Sequence, residues 1–173
     1  MMTLKSNHFG TMEIDEKDLI DFPTGMIGFS NETKFILIRQ RENSPIAWLH
    51  SATNPGLAFP VISLEALAVE YGEDSMCEAA SAAGIDSEPE SWSIMLVFAA
   101  PGKDVPPTVN LVAPVIVDSN TRTGAQVLLE GTKYTACEPL STWLASEPPA
   151  QTTAPRNNNR RLADAQPMAM EER

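Results

Sequence analysis

Two histidines, His8 and His50, and two cysteines, Cys77 and Cys137, are the side chains of this sequence best suited to hold a transition metal or act as a nucleophile–base pair. A zinc site needs converging donors, usually announced by a paired spacing such as Cys-x-x-Cys or His-x-x-x-His. These four are scattered singly, so each histidine reads as a strand-end surface group and each cysteine as a free thiol. Cys77 lies among Glu73, Asp74 and Glu78, and negative neighbours disfavour the thiolate. Cys137 precedes Glu138 and has no basic neighbour in sequence. Gly25 and Gly28 form a Gly-x-x-Gly, but it lacks the strand–loop–helix context and the lysine that phosphate binding requires. Glu13 and Asp15 would be an acid–base pair only in a pocket that shifts their pKa values. No enzyme activity, metal or cofactor is expected, and surface shape and charge are left as the working properties.

The charge is distinctive. Twelve basic residues stand against 23 acidic ones, a formal net charge of -11. Residues 146–173 balance at zero, so the whole excess sits in residues 1–145, with eight basic and 19 acidic residues. Nucleic-acid binding relies on lysines and arginines neutralising phosphates, so such a body repels nucleic acid. It attracts a basic protein, although acidity that serves only solubility is the competing reading. Arg39 and Arg41 are the one local basic patch, expected to bridge acidic neighbours. MMTLKSNHFG has no apolar stretch of signal-peptide length, and no segment approaches the ~18 apolar residues of a membrane span. A cytoplasmic protein is the expectation.

Fourteen prolines and nine glycines fit short strands joined by turns and do not fit a helical bundle. Strands are predicted at 8–14, 34–40, 46–51, 57–62, 66–71, 91–100, 109–112, 115–117 and 125–129. Pro60 marks its strand as an edge or a bulge. A single helix is predicted over 73–83, where Met76, Ala79, Ala80 and Ala83 share one face and Gly84 stops it. That alanine-rich face should lie close on a sheet. Between the last two strands, Asp118, Ser119, Asn120 and Thr121 can bond the turn backbone, and Gly124 is assigned the left-handed conformation. "FPTGMIGF" (22–29) reads as a loop pinned at its rims by Phe22 and Phe29. Residues 1–145 form the domain, and 146–173 are expected to be a flexible tail.

Three stretches together carry a family resemblance: "FGTMEIDEKDLIDFPTGMIGF" (9–29), "NPGLAF" (54–59) and "NLVAPVIVDSNTRTGAQVLL" (110–129). In order and separation they resemble the flagellar assembly factor FliW family, over roughly residues 4–140. The resemblance implies a small antiparallel β-barrel-like fold with a minor helix and no catalytic activity. It implies two protein partners: CsrA, a small basic RNA-binding translational regulator whose repression of flagellin synthesis is relieved allosterically, and flagellin itself. A monomer that touches neither RNA nor membrane is expected. The alternative is a flagellin chaperone that does not contact the regulator, and a third reading is a small β-barrel enzyme or ligand module. The acidic residues Asp15, Glu16, Asp18 and Asp21 are the expected partner surface, with Glu70, Glu73 and Asp74 as a second. Phe22, Pro23, Gly25, Gly28, Phe29, Asn110, Pro114, Arg122, Gly124 and Gln126 are assigned to shaping loops. "ISLEALAVEY" (62–71) lacks the family's usual Asp-Pro and aromatic content, and the tail is longer than is typical.

Overall fold

Short apolar runs separated by turn residues form eleven strands within residues 1–146, the part of the chain that the computed structural model describes. They are β1 (Met2–Ser6), β2 (Gly10–Ile14), β3 (Ile20–Asp21), β4 (Lys34–Ile38), β5 (Ile46–Ser51), β6 (Ala58–Ser63), β7 (Trp92–Ala99), β8 (Thr108–Val109), β9 (Val115–Asp118), β10 (Thr123–Gln126) and β11 (Glu138–Pro139). Helix α1 (Glu73–Ala82) lies between β6 and β7, and the single turn α2 (Leu140–Trp143) follows β11. The expectation of a tail from 146 onward falls almost wholly outside the described residues.

Strands β3, β4, β5, β6, β7, β9 and β10 close on themselves, because β7 pairs with both β6 and β9 and β10 with both β9 and β3. Closure removes the unpaired edges that an open sheet exposes. The expected antiparallel barrel is therefore present, with one seam that runs parallel, Thr123 opposite Asp21. Phe35 and Leu37 of β4 point inward, where they meet Phe22, Met26, Leu49, Val61, Met95, Val115 and Val117. Ile36 and Ile38 point outward and are covered by Leu4, Met12 and Ile14 of the β1–β2 hairpin. Burial on both faces explains why "FILI" is an unbroken apolar run and not an alternation.

Helix α1 matches its prediction closely. Met76 and Ala80 are buried, and their face packs on Ile116, Ala125, Val127 and Leu129. Gly84 ends it with φ 86°; its N–H bonds Ser81 O at 3.0 Å while Ile85 N–H bonds Ala80 O at 2.9 Å. This is the paired closure in which a left-handed glycine satisfies the last carbonyls.

Several expectations are corrected. Residues 66–71 do not form a strand: Leu64–Ala66 make a 3-10 turn, and Leu67 meets Leu144 in an isolated bridge. Val69 still points into a core there, so the apolar pattern reflected burial and not a ladder. The strand predicted over 8–14 begins only at Gly10, since His8 and Phe9 lie in a turn, and it is preceded by β1, whose few apolar residues give no strand pattern. Pro60 sits inside a strand paired on both sides, and it is tolerated through register. Ser63 N–H points to β5, donating to Pro45 O, so by alternation the missing N–H of Pro60 faces β7. There the pairing begins only at Val61, so no ladder bond to β7 is lost at Pro60. Arg39 makes no ion pair among the described residues; its guanidinium donates to Ser44 O at 3.0 Å and closes the turn before β5.

Candidate functional site, a braced surface loop

The β9–β10 hairpin, which bears no reactive group, is the brace for the acidic and glycine-rich segment 15–29. Asp118 begins the brace. It is buried, yet its carboxylate accepts Asn120 N–H at 2.9 Å and the Thr121 hydroxyl at 2.8 Å. Burial pushes its pKa up, but these donors, with Ser87 and Ser91, outweigh that and hold it below the ordinary value. The turn predicted from short polar side chains is thus built as expected.

The left-handed residue of this turn is Arg122, with φ 56°, and not Gly124. That conformation lets Arg122 N–H close on Asp118 O at 2.9 Å while Arg122 O accepts Asp21 N–H at 2.9 Å. The Arg122 side chain reaches back to donate to the carbonyl of Asp18. One residue therefore fixes both ends of the segment 18–21. Gly124 is required for a different reason: a Cβ there would lie 2.6 Å from the Phe22 ring. Its partner Phe22 is fully buried and meets Phe35 edge-on at 4.9 Å.

Gln126 completes the brace. Its Oε1 accepts Ile27 N–H at 3.0 Å, across 99 residues of sequence, and its Nε2 donates to Ala113 O at 3.2 Å. Asn110 Oδ1 in turn accepts Ala113 N–H at 3.1 Å. Pro114 is buried and has no N–H to donate, and β9 begins after it at Val115. The ladder nevertheless continues, with Val127 N–H to Pro114 O and Leu129 N–H to Val112 O, both 2.9 Å.

Within the braced loop, Gly25 N–H bonds Phe22 O at 2.9 Å and Phe29 N–H bonds Met26 O at 2.7 Å. The inner anchors are Phe22 and Met26, both buried. Phe29, expected with Phe22 to pin the rims of the loop to the core, is 41% exposed, and Ile27 is 55% exposed. Pro23 and Gly28 are also exposed. The exposure of the Ile27 side chain has no signature in the sequence, where it reads as one more apolar residue.

The acidic residues divide into two kinds. Asp15 caps the 3-10 turn Glu16–Asp18, accepting Lys17 N–H at 3.1 Å and pairing with Lys17 Nζ at 2.7 Å. The Lys17 contacts hold its pKa below the usual carboxylate value. Asp21 pairs with Lys34 at 2.6 Å. Glu16 and Asp18 have no ion-pair partner among the described residues. Of the second set, Glu73 and Asp74 lie in the first turn of α1, and Glu70 contributes its carbonyl to the Tyr134 hydroxyl at 3.0 Å. "NPGLAF" is tied in through Glu32, which accepts Ser51 Oγ at 2.6 Å, Thr53 Oγ1 at 2.9 Å and Asn54 Nδ2 at 3.3 Å. These donors, Ser51 first, lower its pKa.

His50 overturns the expectation of a surface histidine: it is fully buried. Its Nδ1 lies 2.6 Å from Ser51 O and its Nε2 2.8 Å from Ser6 Oγ. A carbonyl can only accept, so Nδ1 carries the proton and Nε2 accepts the Ser6 hydroxyl proton. Ser6 Oγ is already an acceptor for His8 N–H and Phe9 N–H, both at 3.1 Å. The pair therefore pins the β1–β2 hairpin to the barrel and has no room for a second imidazole proton. Burial holds the His50 pKa below its ordinary value, the Ser51 carbonyl opposes that, and nearby His8 adds to it. A depressed pKa means that the unfolded chain takes up the proton first. The associated stability is present above about pH 6.5 and is lost as the pH falls through the folded-state pKa. Unfolding midpoints in urea between pH 7.5 and 5 should fall more steeply for the native chain than for His50→Gln. Parallel curves would remove His50 as the source.

Among the described residues no group of three metal-ligating side chains converges, and no helix is long and apolar enough to cross a membrane. Two open grooves of about 460 and 470 Å³ lie near Arg39 and Leu144 and near Tyr134 and Trp143. The carboxylates with lowered pKa values, Asp15, Glu32 and Asp118, line neither.

A closed seven-strand barrel with an outer hairpin, one principal helix and a braced surface loop defines a small β-barrel domain. The FliW protein family model matches residues 3–140, and the chain belongs to that family. It is 35% identical over 143 residues to the flagellar assembly factor FliW of Natranaerobius thermophilus, covering 80% of this chain and 92% of the relative. The FliW of Ruminiclostridium cellulolyticum is 32% identical, covering 78% and 90%. The crystal structure of a flagellar assembly factor FliW superposes with a TM-score of 0.66 at 24% identity, covering 80% of this chain and 96% of that one, and supports the fold.

Proposed function

We propose that this protein is a flagellar assembly factor that binds flagellin and a CsrA-type translational regulator, relieving the regulator's repression of flagellin synthesis without touching RNA. The observation that carries the reading is an acidic segment, 15–21, held on a rigid frame by Arg122, in a body that carries the chain's whole net charge of -11. Such a surface repels phosphate backbones and favours a small basic protein, whose RNA affinity an adjacent negative field would lower. Family membership supports the flagellar role through the relatives' names.

Mixing the purified chain at micromolar concentration with each candidate partner tests the reading. Binding to both is expected. Binding to flagellin alone would leave the chaperone alternative, and binding to neither would end both. Charge steering adds a second expectation. Between about 50 mM and 500 mM salt, regulator association should slow by roughly tenfold, because the screening length shrinks to a few ångströms. Glu16→Lys with Asp18→Lys should slow it similarly at low salt, with the far-ultraviolet spectrum unchanged. Association rates indifferent to both salt and substitution would place the contact elsewhere.

A further inference from the structure

Regulator binding, as proposed above, requires more than a field, since charge steers encounter but contributes less to the lifetime of a complex. The braced loop offers the missing part. Ile27 and Phe29 are large apolar side chains, 55% and 41% exposed, at the crest of a loop whose backbone is hydrogen-bonded at both residues. Ile27 N–H is held by Gln126, Phe29 N–H by Met26 O, and Glu32 N–H by Phe29 O at 3.1 Å. Met26 is buried beneath as a plug, and Phe29 rests edge-on against Phe59 at 5.3 Å. Scattered exposed apolar residues need no explanation. Two on one crest, held by a hydrogen bond from a hairpin about a hundred residues away, are a different case, because a preorganised apolar anchor binds without a large ordering cost.

We infer that Ile27 and Phe29 are the anchor of the regulator interface, inserting into an apolar socket rimmed by basic groups, while Glu16 and Asp18 steer the approach. The basic rim follows from charge: the crest is preceded by the acidic segment 15–21 and followed by Glu32. Both halves are held by one hairpin, through Arg122 at Asp18 and Asp21 and through Gln126 at Ile27, so their placement relative to each other is fixed. Phe29 then has a role at the interface in addition to shaping the loop.

The test uses full-length protein, the isolated regulator and flagellin, with association and dissociation rates measured separately. Ile27→Ser, whose side chain is largely in solvent, should dissociate from the regulator several-fold faster, and Ile27→Ser/Phe29→Ser roughly thirtyfold faster. Association at low salt should change by less than about twofold, the converse of the Glu16→Lys/Asp18→Lys result. Native dissociation rates for both crest variants, in a protein that binds the regulator normally, would overturn the anchor and leave the functional reading intact. Loss of flagellin binding with regulator binding retained would also overturn it and assign the crest to flagellin. If the unaltered chain does not bind the regulator, the functional reading fails and the anchor fails with it.

Discussion

Phe22→Ala is expected to cost about 3–5 kcal/mol of stability, the range for removing a buried aromatic side chain. At the few degrees per kcal/mol usual for a domain of this size, the melting temperature should drop by roughly 10–15 °C. Phe22 is fully buried and joins the barrel interior to the braced loop, with Phe35 edge-on at 4.9 Å. Its ring also fills the space that Gly124 leaves, which makes the two positions a coupled pair. Gly124→Ala alone should cost about 1–3 kcal/mol, since the new Cβ would stand 2.6 Å from the ring within a packed interior. In a Phe22→Ala background the overlap with the ring is gone and the added methyl enters a cavity, with only the 3.2 Å contact to Ile20 Cγ2 left. The double variant should therefore be more stable than the sum of single effects predicts, by about 1–2 kcal/mol. Urea denaturation of the four proteins measures this directly. Additive losses would mean that Gly124 is fixed by something other than Phe22.

What the sequence disclosed follows from which properties are local. Helix α1 was legible because its apolar face, acidic start and glycine stop all lie within a dozen residues, and each acts on the backbone beside it. The β9–β10 turn was legible for the same reason, through Asp118 and Thr121. Distant contacts were not. Gly124 looked like a conformational glycine, because nothing local says that Phe22, 102 residues earlier, will press against it. Arg122 took the left-handed conformation instead, stabilised by bonds to Asp18 and Asp21 that exist only once the barrel closes. His50 fitted a strand end in sequence, yet Ser6 and the Ser51 carbonyl satisfy both ring nitrogens and permit full burial. At the candidate site, the acidic residues were visible as charge. Their division into Lys-paired Asp15 and Asp21 and the remaining Glu16 and Asp18 needed coordinates.

The crest allows strain and steric contact to be separated, because Gly25 and Gly28 are both left-handed, with φ 66° and 85°. Any other residue at either position incurs about 1–2 kcal/mol for that conformation. Their surroundings differ. A Cβ on Gly28 would meet nothing within 4 Å, whereas a Cβ on Gly25 would overlap the carbonyl oxygen of Phe29 and crowd the backbone of Ser30. Those are backbone atoms, so no rotamer change relieves the overlap and the crest itself must open. Gly28→Ala should therefore lose only about 1–2 kcal/mol and keep near-native partner binding. Gly25→Ala should lose at least about 1 kcal/mol more, on the scale of overpacking. Phe29 and Ile27 would then be displaced from the positions that Met26 O and Gln126 now fix, and with the crest as the proposed anchor the affinity for the regulator should fall roughly tenfold or more in the folded protein. Thermal unfolding and titration of both variants at a temperature where each is folded distinguish the effects. Equal losses at the two glycines would show that backbone conformation alone governs the loop, and that the tight turn beneath Phe29 is not what shapes the crest.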